Sequence, residues 1–266
     1  MKSRITKKFE TIRSKGEKAL IAYITAGDPD LDTTYRLVLE MERAGVDIVE
    51  LGIPYSDPLA DGPVIQRASM RALKAGTDIN AVFGLAERLR KTTEIPLVFL
   101  VYFNCVFQYG FGRFLDQCKE KGIDGLIIPD LPLEERKELQ DMMKAYHIDL
   151  IPLVAPTSEE RAKAIVEDSS GFVYCISSMG VTGQRKSLDT DLNKFLNQIR
   201  EYTDLPLALG FGIGTAEMIR QTKDLCDGLI VGSGIIQMIE EGIEGGEIER
   251  RVFDFVKGLA EAKKIA

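Results

Sequence analysis

The sequence predicts an α/β fold, a single-domain (β/α)8 (TIM) barrel spanning residues 1–266, on three observations. Short runs rich in Val, Ile and Leu recur eight times, stretches of helical period separate them, and the 266 residues suit one barrel better than two independent cores. The apolar runs are ALIAYIT (19–25), DIVELG (47–52), LVFLVY (97–102), GLIIP (125–129), DLIPLV (149–154), FVYCIS (172–177), LALGFG (207–212) and GLIVGS (228–233). Near-continuous apolar strands joined through helices imply a parallel sheet covered on its outer face. The segment DTTYRLVLEMERAG shows the helical pattern, with Leu37, Val38, Met41 and Ala44 at spacings of three and four and Gly45 closing the end. EERKELQDMMKAYHI, TAEMIRQTKDL and PVIQRASMRAL repeat the arrangement. An open doubly wound sheet is the minority alternative.

Composition removes several functional classes. With 45% hydrophobic and 28% charged residues the chain can bury a core and is not a disordered or fibrous sequence. A net charge of −7 argues against nucleic acid or an anionic membrane surface as partner. Four cysteines without a CxxC pair indicate neither a zinc knuckle nor a disulfide framework, and a reducing, cytoplasmic setting is expected. The single histidine, His147, excludes a multi-His metal site and leaves acid–base chemistry to carboxylates. No metal site is expected. Ile95–Phe103, the longest apolar stretch, is too short to span a bilayer and contains Pro96. The basic start followed by ALIAYITAG is read as the approach to a first strand rather than a targeting segment.

In a barrel of this kind, catalytic groups sit at the C-terminal strand ends and in the loops that follow. Strand alternation in DIVELG puts Ile48 and Glu50 on one face and Val49 and Leu51 on the other. A carboxylate there is desolvated, so its pKa rises toward neutrality and it can give or take a proton near pH 7. The bland alternative, a structural ion pair, finds no basic residue in the eight strand cores. Asp61 closes the proline-rich loop GIPYSDPLADGP (52–63) and supplies a second carboxylate; read alone, it would cap the helix that starts at Pro63. Asp57 in Ser-Asp-Pro suits a turn. The loop 177–192 is a second long connection, with Gly180 and Gly183 as hinges for a lid. Glycines at the last strand ends, in LGFGIGT and Gly232-Ser233-Gly234, match an anion cradle built from backbone N–H groups and a helix N-terminus. The four cysteines have no histidine to activate them and are read as structural.

The run VELGIPYSDPLADGPVIQRAS (49–69) closely resembles the signature of the tryptophan synthase α subunit family. TAGDPD (25–30), PDLP (129–132), SSMGVTG (177–183), LGFGI (209–213) and VGSGII (231–236) extend the resemblance over nearly the whole chain. It implies a (β/α)8 barrel that cleaves indole-3-glycerol phosphate to indole and glyceraldehyde 3-phosphate. It also implies an α2β2 heterotetramer, in which a pyridoxal-phosphate (PLP) β subunit joins the indole to serine while this chain needs no cofactor. Residue by residue, the resemblance makes Glu50 and Asp61 catalytic. It assigns Tyr23, Leu100, Tyr102, Ile127, Leu153, Tyr174 and Phe211 to the indole and glycerol pocket, with Thr182 meeting Asp61 on lid closure. Gly183, Gly212, Gly232, Ser233 and Gly234 match the phosphate cradle, and the 54–61 loop with Asp57 and Pro58, together with 102–109, faces the β subunit. Tyr23 stands where the family also uses Phe, and Ser177-Ser178-Met179 lies in a stretch the family varies. A free-standing lyase and a pure subunit role without catalysis are the competing readings.

Overall fold

The computed structural model describes residues 2–131, 133–176, 185–210, 212 and 214–264. Nine parallel strand segments form one sheet: β1 (Ala19–Thr25), β2 (Ile48–Gly52), β3 (Leu97–Leu100), β4 (Gly125–Ile127), β5 (Asp149–Leu150), β6 (Leu153–Val154), β7 (Val173–Ile176), β8 (Leu207–Gly210) and β9 (Gly228–Val231). Their order is β5-β4-β3-β2-β1-β9-β8-β7-β6. Its two ends, β5 and β6, are halves of the expected fifth strand, divided where Pro152 lacks an N–H to donate. Ile151 N–H still donates to Leu126 O, and Tyr174 N–H to Pro152 O, each at 2.9 Å, so the fifth strand closes the barrel. All eight expected strands are present.

Alternation along the strands separates two cores. Ile21, Ile48, Val98, Ile127, Ile151, Phe172, Ala208 and Ile230 fill the barrel interior. Ile5, Phe9 and Ile12 of the N-terminal helix Arg4–Ser14 plug its lower end. Val49, Leu51, Leu97, Phe99 and Leu209 point outward and pack with the surrounding helices. Glu50, two residues after Ile48, therefore faces inward.

At the lower rim the chain ties neighbouring strands with carboxylates. Asp47, Asp124 and Asp227 each stand just before a strand and accept the N–H of Leu20, Leu97 and Leu207 at 2.9 Å. The three backbones return the bond, Asp47 N–H to Leu20 O, Asp124 N–H to Leu97 O and Asp227 N–H to Leu207 O. These pairs fix strand register at the end opposite the site.

Helix boundaries follow local chemistry. Leu31–Ala44 is capped by the Asp30 carboxylate accepting from Thr33 N–H and ends at Gly45 in the left-handed region, φ 109°. Pro63–Lys74 begins with Pro in the first turn. The connection after β7 is shorter than the sequence suggests, because residues 185–192, read as loop, belong to the helix Arg185–Arg200. Leu192, Phe195, Leu196 and Ile199 are buried at helical spacing and carry that signal. Among the described residues no helix is long and apolar enough to cross a membrane.

Candidate active site

A cavity of about 600 Å³ opens at the C-terminal ends of the strands. Its floor and walls bring together Tyr23 from β1, Glu50 from β2, Leu100 from β3, Leu153 from β6 and Tyr174 from β7. Asp61 enters from the loop after β2, and Gly212, Gly232, Ser233 and Gly234, from the ends of β8 and β9, line the same cavity. Residues distant in sequence, assigned separately to chemistry and to anion binding, thus share one cavity.

Glu50 is 1% exposed, and both its carboxylate oxygens lack a hydrogen-bond partner among the described residues. No described cation pairs with it, so the structural ion-pair alternative has no support. Burial alone pushes its pKa up to about 8. A buried carboxyl left without a partner in a cavity wall is the arrangement expected where a ligand exchanges a proton with it.

Asp61 does not cap the following helix: the N-cap is Gly62, and the Asp61 side chain lines the cavity. Its pKa rises to about 6, driven by burial and partly offset by the Tyr102 hydroxyl. Tyr102 is buried, and its hydroxyl accepts Ala60 N–H at 3.1 Å, holding the end of the loop that carries Asp61. Its ring stacks on Tyr55 with centroids 5.0 Å apart, and Asn104 Nδ2 donates to Tyr55 Oη at 3.3 Å. Tyr102 thus sits behind the cavity wall as a brace for Asp61. Ile127 also lies outside the cavity, beneath it in the barrel interior.

Aromatic packing depends on missing side chains nearby. A Cβ on Gly52 would stand 2.3 Å from Tyr23 Oη, and one on Gly210 2.5 Å from the Tyr174 ring. Tyr23 Oη and Thr25 Oγ1 are 3.3 Å apart, and burial raises the pKa of both tyrosines. On the glycine-rich side, Gly232 precedes the helix Ser233–Gly245 without a capping side chain, so the first N–H groups are available to an anion. A Cβ at Gly234 would crowd Phe255 at 3.0 Å, and Gly212 has φ 81°, which L side chains rarely adopt.

Thr182, Gly183 and Phe211 lie outside the described residues. Sequence reasoning missed Ile65, Pro129, Ala155, Ile176 and Gln237 in the cavity wall, while Gly214, read with the glycine cradle, does line it. Only Gln237 had a readable signal, its place one turn after Ser233. Asp57 is exposed and accepts Ser56 Oγ–H at 2.6 Å, Pro58 is half-buried, and Leu59 beside them is 94% exposed. Phe107, 60% exposed, stands in the 102–109 segment. His147 is exposed in a groove at the opposite rim with Lys7, Lys8 and Lys119. Cys118, Cys175 and Cys226 are buried and Cys105 half-buried, and burial pushes Cys175 and Cys226 up to about 12, away from nucleophilic use.

Comparison with known proteins shows the family and the fold. Residues 9–264 match the family model described as tryptophan synthase alpha chain. The tryptophan synthase alpha chain of Alkaliphilus metalliredigens is 61% identical over 265 residues, covering 100% of both chains. That of Thermoanaerobacter sp. strain X514 is 53% identical over 97% of this chain and 99% of its own. Among solved structures, tryptophan synthase subunit alpha from Legionella pneumophila superposes with a TM-score of 0.91 at 35% identity, over 98% of each chain. A Mycobacterium tuberculosis tryptophan synthase gives 0.89 at 32% identity over 100% of each. The chain belongs to the tryptophan synthase alpha chain family.

Proposed function

We propose that this chain, an enzyme subunit of tryptophan biosynthesis, cleaves indole-3-glycerol phosphate by a retro-aldol reaction in which Glu50 and Asp61 divide the proton work. The observation that carries the reading is the pairing in one cavity of a buried, unpartnered Glu50 with a less buried Asp61.

At pH 7 the two carboxyls are poised differently, Glu50 largely protonated at about 8 and Asp61 largely ionised at about 6. Glu50 delivers its proton to C3 of the indole, creating an indolenine cation. Asp61 accepts the ring N–H and stabilises the charge developing there. The bond from C3 to the glycerol carbon breaks, its electron pair restoring the aromatic ring. The same carbon's hydroxyl loses its proton to the Glu50 carboxylate and becomes the aldehyde. One proton is given and one taken, so Glu50 ends the cycle as it began.

The apolar walls from Leu100, Leu153 and Tyr174 suit a flat indole, and the N–H groups at Ser233 and Gly234 suit a phosphate dianion. The scheme uses proton transfers only and asks no cofactor of this chain. PLP belongs to a β subunit that takes up the indole in an α2β2 heterotetramer of the cytoplasm. The loop at Asp57 and Pro58, with Leu59 and Phe107 exposed beside it, faces that partner.

Steady-state release of indole by wild type, Glu50→Gln and Asp61→Asn, each with and without a cognate β subunit, tests the reading. The chain contains no Trp, so product indole is seen against a low fluorescence background. Wild type should be accelerated by the partner, and each variant should lose at least about 100-fold. A wild type inactive even in the complex would overturn both catalytic roles; full speed alone would make it a free-standing lyase.

A further inference from the structure

Two helices framing the cavity are joined to each other, and to the segment leaving β1, by charges that the reaction scheme does not use. Arg67 and Arg71 stand one turn apart on the helix Pro63–Lys74, so their guanidinium groups leave the same face. Arg67 donates through Nε and Nη2 to both oxygens of Glu240, each at 2.8 Å. Arg71 donates through Nε and Nη2 to the two oxygens of Asp28, at 2.7 and 2.9 Å, and through Nη1 to Glu240 Oε1 at 2.9 Å. Asp28 is buried, while Arg71 and Glu240 are about a quarter exposed.

Their placement connects both ends of the cavity. The arginine helix starts two residues after Asp61, and Glu240 lies on the helix whose first turn carries Ser233 and Gly234. Asp28 follows β1, which carries Tyr23. The two helices pack against each other. The partly exposed pairs that Arg67 and Arg71 make with Glu240 add little stability. A forked guanidinium on a carboxylate instead fixes distance and orientation together, which a single lysine contact does not.

We infer that Arg71 and Glu240, with Arg67, are positioning residues that set the separation between Asp61 and the Ser233–Gly234 anion cradle, so that a ligand carrying an aromatic N–H and a phosphate is held at both ends at once. This rests on the proposed reading of the cavity. The clamp keeps its charge across working pH, since Arg67 and Arg71 hold the Glu240 carboxyl down to about 2.

A spacer affects a two-ended ligand more than either half, because only the joined ligand needs both sites at the right distance. Titration calorimetry on the purified full chain would compare indole, glycerol 3-phosphate and a saturated-chain indolylpropyl phosphate that lacks the hydroxyl required for cleavage. Glu240→Gln keeps the volume and removes the charge; Arg71→Lys keeps the charge and removes the fork. Each variant should bind the joined analogue about tenfold more weakly than wild type. The halves should stay within about twofold of wild type. If halves and whole weaken alike, or neither changes, the positioning role is overturned while the reading of the cavity stands. If wild type fails to bind the analogue, it is that reading which fails. Should Glu240→Gln not fold, Arg71→Lys carries the same comparison.

Discussion

Tyr23 and Glu50 occupy matched positions on adjacent parallel strands, so both side chains point into the barrel at the same height. The phenol contributes to the dry wall that leaves Glu50 without a partner, and a charge on Glu50 would hold the Tyr23 hydroxyl further from ionising. Burial of an acid in this way links stability to pH. Glu50 binds its proton up to about 8 in the folded chain against an ordinary 4.5 when exposed. Its favourable contribution is therefore fully present below about pH 4.5, declines as pH rises through the interval to 8, and is gone above it. Asp61 adds a smaller slope of the same sign between 3.8 and about 6. Urea denaturation at several pH values should show wild type losing stability from about pH 4.5 to about pH 8, on the order of a few kcal/mol. Glu50→Gln should flatten most of that slope; an unchanged slope would mean that Glu50 is ionised in the folded chain.

In the proposed scheme the same two groups shape the rate. That scheme uses Asp61 ionised and Glu50 protonated, so kcat/KM should rise through about 6 and fall through about 8. A substrate phosphate also titrates near about 6, and the residual activity of Asp61→Asn separates the two origins. Loss of the acid limb in that variant assigns it to Asp61, whereas a limb that persists assigns it to the phosphate.

Tyr102 offers a way to move one limb alone. Its hydroxyl accepts Ala60 N–H and helps hold the neighbouring Asp61 carboxyl down. Tyr102→Phe should shift the acid limb upward, lower kcat/KM and cost about 1 kcal/mol in stability for the lost hydrogen bond. A pH–rate profile with an unmoved acid limb would reduce Tyr102 to packing.

The barrel and the inward-facing Glu50 are legible in the sequence because each rests on a local signal, whereas Asp61 enters the cavity reading only through the family resemblance. Strand runs have period two, and Glu50 breaks an apolar run at a position whose face alternation already fixes. What is not legible depends on three-dimensional crossing. Nothing local says that Asp61 gives up the cap to Gly62, or that Tyr102 braces the loop rather than lining the cavity. The family resemblance assigns Ile127 to the pocket, yet it is fully buried in the interior cluster, beside its register partner Leu100, which does line the cavity. The Arg67–Glu240 pair spans 173 residues, and no periodicity connects its members. Residues 185–192 do carry a readable helical pattern, obscured by the glycines that precede them.

Two glycines with opposite surroundings test how tightly the aromatic wall is built. A methyl at Gly52 would meet the Tyr23 hydroxyl at 2.3 Å and its ring at 2.7–2.8 Å, and the next strand leaves the phenol little room to withdraw. Gly52→Ala should cost about 1–3 kcal/mol by overpacking. It should also reduce indole release, since the displaced Tyr23 lines the cavity. Gly84 lies exposed in the helix Ile79–Arg90, and a methyl there would have no neighbour within 4 Å, so Gly84→Ala should stabilise by about 0.5–1 kcal/mol through helix propensity. Its activity should be unchanged. Denaturation midpoints and lyase rates for the two variants check both signs: an active, undiminished Gly52→Ala would show that Tyr23 is free to move, and that the wall beside Glu50 is softer than the packing implies.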